Sequence, residues 1–191
     1  MLWRVETSEP EVYLTFDDGP VPGLTPWVLD TLARYNAKAT FFCIGQNIVA
    51  NPDVFARIKA EGHAVGNHTW DHPSGWRTST PDYLRNVSDC HVHVRTDLFR
   101  PPYGRMTNRQ IGHLRKRYQL VMWDVLSGDF EQDMTGPQCA NNVIRRTRPG
   151  SIVVFHDNLI SEERMRFALP KVLEALSAKG YRFPTLKHGT L

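Results

Sequence analysis

Asp17 and Asp18 stand side by side in Thr15-Phe16-Asp17-Asp18-Gly19, directly after the run Glu11-Val12-Tyr13-Leu14. A carboxylate buried without a partner at the mouth of a strand costs several kcal/mol, so a pair of them calls for a compensating charge. Adjacent strand residues face opposite ways, but a turn at Gly19-Pro20 can swing both acids into one cleft. Asp-Gly is also a common turn pair in water, so the dipeptide needs company before it means chemistry. That company is present. His68 and His72, with three residues between them, follow a predicted strand, and in one turn their rings share a face suited to two ligands of one ion. With Asp18 they form a His₂Asp set that leaves positions open for water and substrate, a pattern suited to Zn²⁺ and accessible to Co²⁺ or Ni²⁺.

If Asp18 binds the cation, Asp17 is free to act as a base, because water beside such an ion has a pKa near about 7. Arg100 opens Arg100-Pro101-Pro102-Tyr103-Gly104, where two prolines stiffen the loop, and its guanidinium can hold Asp17 ionised and turned. His156 ends the apolar run Ile152-Val153-Val154-Phe155 and suits a general acid tuned by a carboxylate such as Asp129. His91 and His93, two apart on a predicted helix, face differently and read as surface residues.

The elements that must position these groups alternate along the chain. Strands are predicted at Val12–Phe16, Ala39–Ile44, His63–Asn67, Leu98–Arg100, Leu120–Val125, Ile152–Phe155 and Tyr181–Phe183. Helices are predicted at Thr25–Asn36, Pro52–Glu61, Pro81–Thr96, Thr107–Arg117, Pro137–Arg148 and Glu162–Lys179. Repeated β-then-α units imply an α/β fold with a mainly parallel sheet. Asp17, Asp18, His68, His72, Arg100, Asp129 and His156 all fall at or just past the C-terminal ends of predicted strands, where parallel α/β proteins assemble active sites.

The 191 residues are read as one domain, 1–191, with no linker, low-complexity run or repeat. A formal charge of +3 does not argue for nucleic acid, and the basic region Arg100–Arg117 lacks the aromatic interleaving of a base-stacking surface. Cys43, Cys90 and Cys139 suggest no disulfide framework, and Cys43 reads as core packing. No stretch is long and apolar enough for a transmembrane segment, and the start has no apolar leader region. The chain either stays inside the cell or loses a targeting segment, and the sequence leaves the compartment open. The tail after Phe183 carries no dimer stripe, so a monomer is expected.

Together these residues resemble the polysaccharide deacetylase family, the NodB-homology domain of carbohydrate esterase family 4, over roughly Val12 to Phe183. Three motifs occur in family order: Thr-Phe-Asp-Asp-Gly at 15–19, His-Thr-x-x-His at 68–72 and Arg-x-Pro-Tyr-Gly at 100–104. The resemblance implies a distorted, incompletely closed (β/α) barrel. It further implies Asp17 as catalytic base, Asp18, His68 and His72 as metal ligands, and Arg100 as support for Asp17. The Tyr103 N–H would be an oxyanion donor. The family's Asp-x-x-Asp-Trp reads Leu126-Ser127-Gly128-Asp129-Phe130 here, which keeps Asp129 and puts Phe130 where a groove-lining Trp is usual. Its Leu-x-x-His reads Val153-Val154-Phe155-His156, with Val153 as the apolar substrate wall. The expected reaction is metal-dependent removal of N-acetyl groups from N-acetylglucosamine-type units of a glycan such as peptidoglycan, chitin oligomers or a surface polysaccharide, with acetate as product. An O-acetyl esterase and a non-catalytic glycan-binding relic are the alternatives.

Overall fold

The computed structural model describes residues 1–187 and 189. Strands and helices alternate as β1 Tyr13–Asp17, α1 Leu24–Ala33, β2 Thr40–Cys43, α2 Gly45–Ala50, α3 Pro52–Ala60, β3 Ala64–Asn67 and α4 Thr80–Val94. The second half continues with β4 Leu98–Phe99, α5 Asn108–Leu114, β5 Gln119–Leu120, β6 Val125–Leu126, α6 Gly136–Arg146, β7 Ile152–His156 and α7 Glu162–Ala178. The strands form one sheet in the order β5-β4-β3-β2-β1-β7-β6, every pair parallel. It curls into an incompletely closed barrel, as the resemblance implied, with its helices packed outside.

Period-two alternation in β1 sorts its residues between two environments. Leu14 and Phe16 face the helices, where Phe16 lies between Phe41 of β2, 5.1 Å away centroid to centroid, and Phe155 of β7, 5.9 Å away. Fully burying one such ring contributes roughly 1.5–3 kcal/mol. Tyr13 belongs instead to a second cluster, with Leu2, Val5, Phe42, Leu98 and Ile152. Thr15 and Asp17 share the parity of Tyr13, so β1 delivers Asp17 to the barrel interior at its C-terminal end. The register of β1 on β7 places Asp17 opposite His156.

Two predicted strands change. The segment read as one strand at Leu120–Val125 is two short strands at opposite edges of the sheet, β5 on β4 and β6 on β7. The chain between them crosses the open side of the barrel. The N-terminus takes up its backbone bonds there: Leu2 bridges to Val121 and Arg4 to Ser151. Met122 N–H donates to the Leu2 carbonyl at 2.7 Å. Nothing in Val121-Met122-Trp123-Asp124 signals a turn, because the break is set by the barrel gap and not by local chemistry. The closing strand predicted at Tyr181–Phe183 is reduced to a single bridge from Arg182 to Glu11. Helix α2, absent from the sequence reading, follows β2 directly.

Candidate active site

Asp17, Asp18, His68, His72 and His156 line one open cleft of about 800 Å³ at the C-terminal ends of the strands. Asp17 is the last residue of β1, and Asp18 turns away from it with a φ of 85° before the cis Gly19-Pro20 bond. Strand β3 ends at Asn67, which puts His68 at the rim, nearly fully buried. The Asn67 side-chain oxygen accepts from the Thr69 N–H at 2.8 Å, and the Thr69 hydroxyl accepts from the His72 N–H at 3.1 Å. This short relay turns the segment back, with positive φ at Thr69 and His72, so that the two rings lie 5.0 Å apart.

The Nε2 atoms of His68 and His72 lie 3.5 Å and 3.2 Å from Asp18 Oδ1. One ligand atom from each of the three residues falls within 4.8 Å of the others, a spacing that can hold a metal ion. His68 Nδ1 sits 2.8 Å from the Arg100 carbonyl, which can only accept, so the ring carries its proton there and turns a bare Nε2 inward. Asp18 Oδ2 accepts from the Asn158 amide at 2.6 Å, while Oδ1 is buried with no hydrogen-bond partner. A buried carboxylate oxygen without a donor is costly, and a cation would satisfy it. The donor set fits a divalent ion in which nitrogen ligands are welcome.

Asp17 has different partners. Arg100, wholly buried, donates from Nη1 to Asp17 Oδ1 and to the Thr15 hydroxyl, both at 2.7 Å, and from Nη2 to the Met122 carbonyl at 2.8 Å. Its guanidinium lies 4.2 Å from the Phe42 ring centroid, so the arginine is held on its face as well as its edges. Asp17 Oδ2 is thus left facing the cleft, 4.0 Å from His68 Nε2. Across the cleft, His156 Nδ1 donates to Asp129 Oδ1 at 2.8 Å, and the His156 backbone N–H donates to Asp129 Oδ2 at 2.7 Å. Burial disfavours the charged ring, but Asp129, helped by Asp17 and Asp18, raises the His156 pKa to about 9. Phe130 packs edge-on against His156 with centroids 5.2 Å apart. Tyr103 stands exposed at the opposite lip, its ring 4.6 Å from that of His72 and its backbone turned by a φ of 60°.

Val153 is not on the cleft. It is wholly buried in the helix-facing core, paired with Leu14 and Val125, three residues below the strand end that carries His156. Its parity in β7 turns it away from the barrel interior. The apolar cleft wall comes instead from Trp123, Leu126, Phe130, Leu159 and Ile160.

Three supporting residues were not singled out from the sequence. Asn158 orients Asp18 as described, and the Asn47 amide donates to the Asp18 carbonyl at 2.7 Å. Asp157 is fully buried and accepts from the Gly19 N–H at 3.0 Å and the Thr25 hydroxyl at 2.6 Å, which pins the loop carrying both acids. Burial, with Asp18 nearby, pushes its carboxyl up to about 8 against these hydrogen bonds. Asn158 obeys the same rule as the residues that were identified, lying just past a strand end, whereas Asn47 sits in the first turn of α2, the helix absent from the sequence reading. The three cysteines are free and buried.

A family model described as polysaccharide deacetylase matches residues 4–122. The chain belongs to the polysaccharide deacetylase family. It is 34% identical over 191 residues to a peptidoglycan-N-acetylglucosamine deacetylase of Bacillus cereus, covering 96% of this chain and 90% of that protein. It is 31% identical over 202 residues to a chitooligosaccharide deacetylase of Azorhizobium caulinodans, covering 96% of each. Among solved structures, the Bc1960 peptidoglycan N-acetylglucosamine deacetylase in complex with a naphthalenyl N-hydroxybenzamide superposes with a TM-score of 0.92 and 32% identity, over 97% of this chain and 90% of that one. Asp129 and His156 lie beyond the matched span of the family model, so their pairing rests on the structure. Among the described residues, no helix is long and apolar enough to cross a membrane.

Proposed function

We propose that this polysaccharide deacetylase family member hydrolyses N-acetyl groups on N-acetylglucosamine-type units of a glycan and releases acetate. One observation carries the reading: Asp18 Oδ1 is buried without a donor between two imidazole Nε2 atoms, while its neighbour Asp17 is held apart by Arg100. Asp18, His68 and His72 would hold a divalent cation, Zn²⁺ by the donor set, which when bound acidifies water and polarises the acetyl carbonyl.

The chain's own groups supply the rest. Asp17, ionised against Arg100, takes the proton of the attacking water through the oxygen that faces the cleft. The carbonyl oxygen gains charge as the carbon becomes tetrahedral, and the Tyr103 N–H donates to it; one such donor is typically worth about 3–4 kcal/mol. His156, protonated and held by Asp129, gives its proton to the departing amine nitrogen. The amine needs that proton more than an ester's alkoxide does, so loss of His156 should cost N-deacetylation more than O-deacetylation. Leu126, which replaces the first acid of the fourth motif, stands on the cleft wall and is none of the ligand or proton-transfer groups, which weighs against a non-catalytic relic.

The test is acetate release from chitooligosaccharides, peptidoglycan strands and acetylated xylan, with chelated and zinc-loaded protein in parallel. Asp17→Asn should keep the cation, measured by metal content, and lose about 10²–10⁴-fold in turnover. Near-normal acetate release by that variant refutes the role of Asp17.

A further inference from the structure

The basic region visible in the sequence is divided by the fold. Arg100 is consumed inside the site, and Arg117 contacts His91 away from it. Arg105 is different. It lies with Arg77 on a separate groove of about 400 Å³, lined also by Pro73, Ser74, Thr78 and Tyr103. Tyr103 and Arg105 border both this groove and the catalytic cleft, so the two adjoin at Tyr103, whose ring lies 4.6 Å from that of the metal-ligand candidate His72.

Both arginines are exposed, and neither is paired with a carboxylate among the described residues. Arg105 is nevertheless fixed. Its guanidinium carbon lies 5.0 Å from the Trp76 ring centroid, and the Trp76 indole N–H donates to the Met106 carbonyl at 3.1 Å, which locks the platform under it. Other surface arginines are paired with acids, as Arg57 is with Asp30 and Glu61, or stand singly among the described residues; what sets Arg77 and Arg105 apart is that both line one groove that adjoins the catalytic cleft. Two guanidiniums without a carboxylate partner, in a groove beside the catalytic cleft, form a receptor for a planar, singly charged acid group.

We propose that this groove is a subsite for a carboxylate carried by the sugar next to the one being deacetylated, as on an ether-linked lactyl group or a uronic acid. This rests on the deacetylase reading above and narrows its substrate to an anionic glycan. A neutral chito-oligomer fills the catalytic cleft equally well but leaves Arg77 and Arg105 solvated. Exposed ion pairs contribute about 0.2–1 kcal/mol each, so each arginine should account for a preference of about 1.4- to fivefold, expressed in KM and weakened by salt.

The experiment uses the zinc-loaded protein and one preparation of peptide-free peptidoglycan strands, half of it with the lactyl carboxyls amidated to remove the charge at constant length. The expected ratio of kcat/KM, free acid over amidated, is about tenfold at low salt. It should fall toward one at high salt or in Arg77→Gln/Arg105→Gln, and below one in Arg77→Glu/Arg105→Glu. Chitotetraose is the uncharged control. Equal kcat/KM on the two strand preparations, or a ratio that the arginine variants do not move, overturns the subsite and leaves the deacetylase standing. Acetate from none of these glycans overturns both.

Discussion

Asp129→Asn isolates the contribution of a buried carboxylate that touches the site only through His156. The substitution keeps shape and one acceptor oxygen for the His156 N–H, but it presents an amide to Nδ1 where an anion had been. His156 then loses the main influence that overcomes its burial, and its pKa falls from about 9 to the ordinary 6.5 or lower. At about pH 8 the protonated fraction drops from about 0.9 to about 0.03, a loss near 30-fold, whereas at about pH 6 the loss is under twofold. The assay is acetate release as kcat/KM across pH, which reports the free enzyme. The alkaline limb should move toward acid by more than two pH units. The same linkage has a stability reading. A histidine whose folded pKa is raised stabilises the fold fully below about 6.5 and loses that contribution as pH climbs through about 9. At 1.36 kcal/mol per pH unit the gap amounts to about 3 kcal/mol, so Asp129→Asn should cost most in acid and least above about pH 9. An unmoved alkaline limb, or a loss equal at every pH, refutes His156 as the proton donor.

Two further perturbations probe the scaffold. Arg100→Met leaves Asp17 buried without its counter-charge and should cost about 3–5 kcal/mol in denaturant unfolding, while Asp17→Asn/Arg100→Met should recover much of it; strict additivity would contradict the pairing. Gly19→Ala would drive a methyl into the Asp157 carboxylate, so it should cost at least about 1–3 kcal/mol and weaken zinc uptake by displacing the Asp18 loop, and unchanged uptake would show that Asp157 does not hold that loop.

The groups that share the cleft were legible because a parallel α/β chain presents polar residues at a fixed phase, the C-terminal ends of its strands. Strand ends are marked by the change from apolar runs to turn residues, and Asp17, His68, Arg100 and His156 all sit at that change. The barrel and its parallel sheet followed from the alternation of elements and the family resemblance. What stayed hidden was set across long separations. Asp157 reaches Gly19 and Thr25 from more than 130 residues away, and Asn158 reaches Asp18 from as far. Neither carries a local signal beyond following His156. Val153 was misplaced because a motif position fixes sequence distance from His156 and not the face of the strand; three steps along β7 end in the helix-facing core. The split of Leu120–Val125 was equally invisible, since only the width of the barrel gap decides where that extended segment changes partner.

The most direct measurement is anomalous diffraction at the zinc absorption edge from zinc-loaded crystals, with calorimetric zinc titration of wild type and His68→Ala alongside. The expected result is one peak roughly 2.0–2.2 Å from Asp18 Oδ1, His68 Nε2 and His72 Nε2, Asp17 still on Arg100, and stoichiometric uptake lost in the variant. A peak elsewhere, or zinc bound by Asp17 while Asp18 remains unligated, would contradict the division of labour between the two acids.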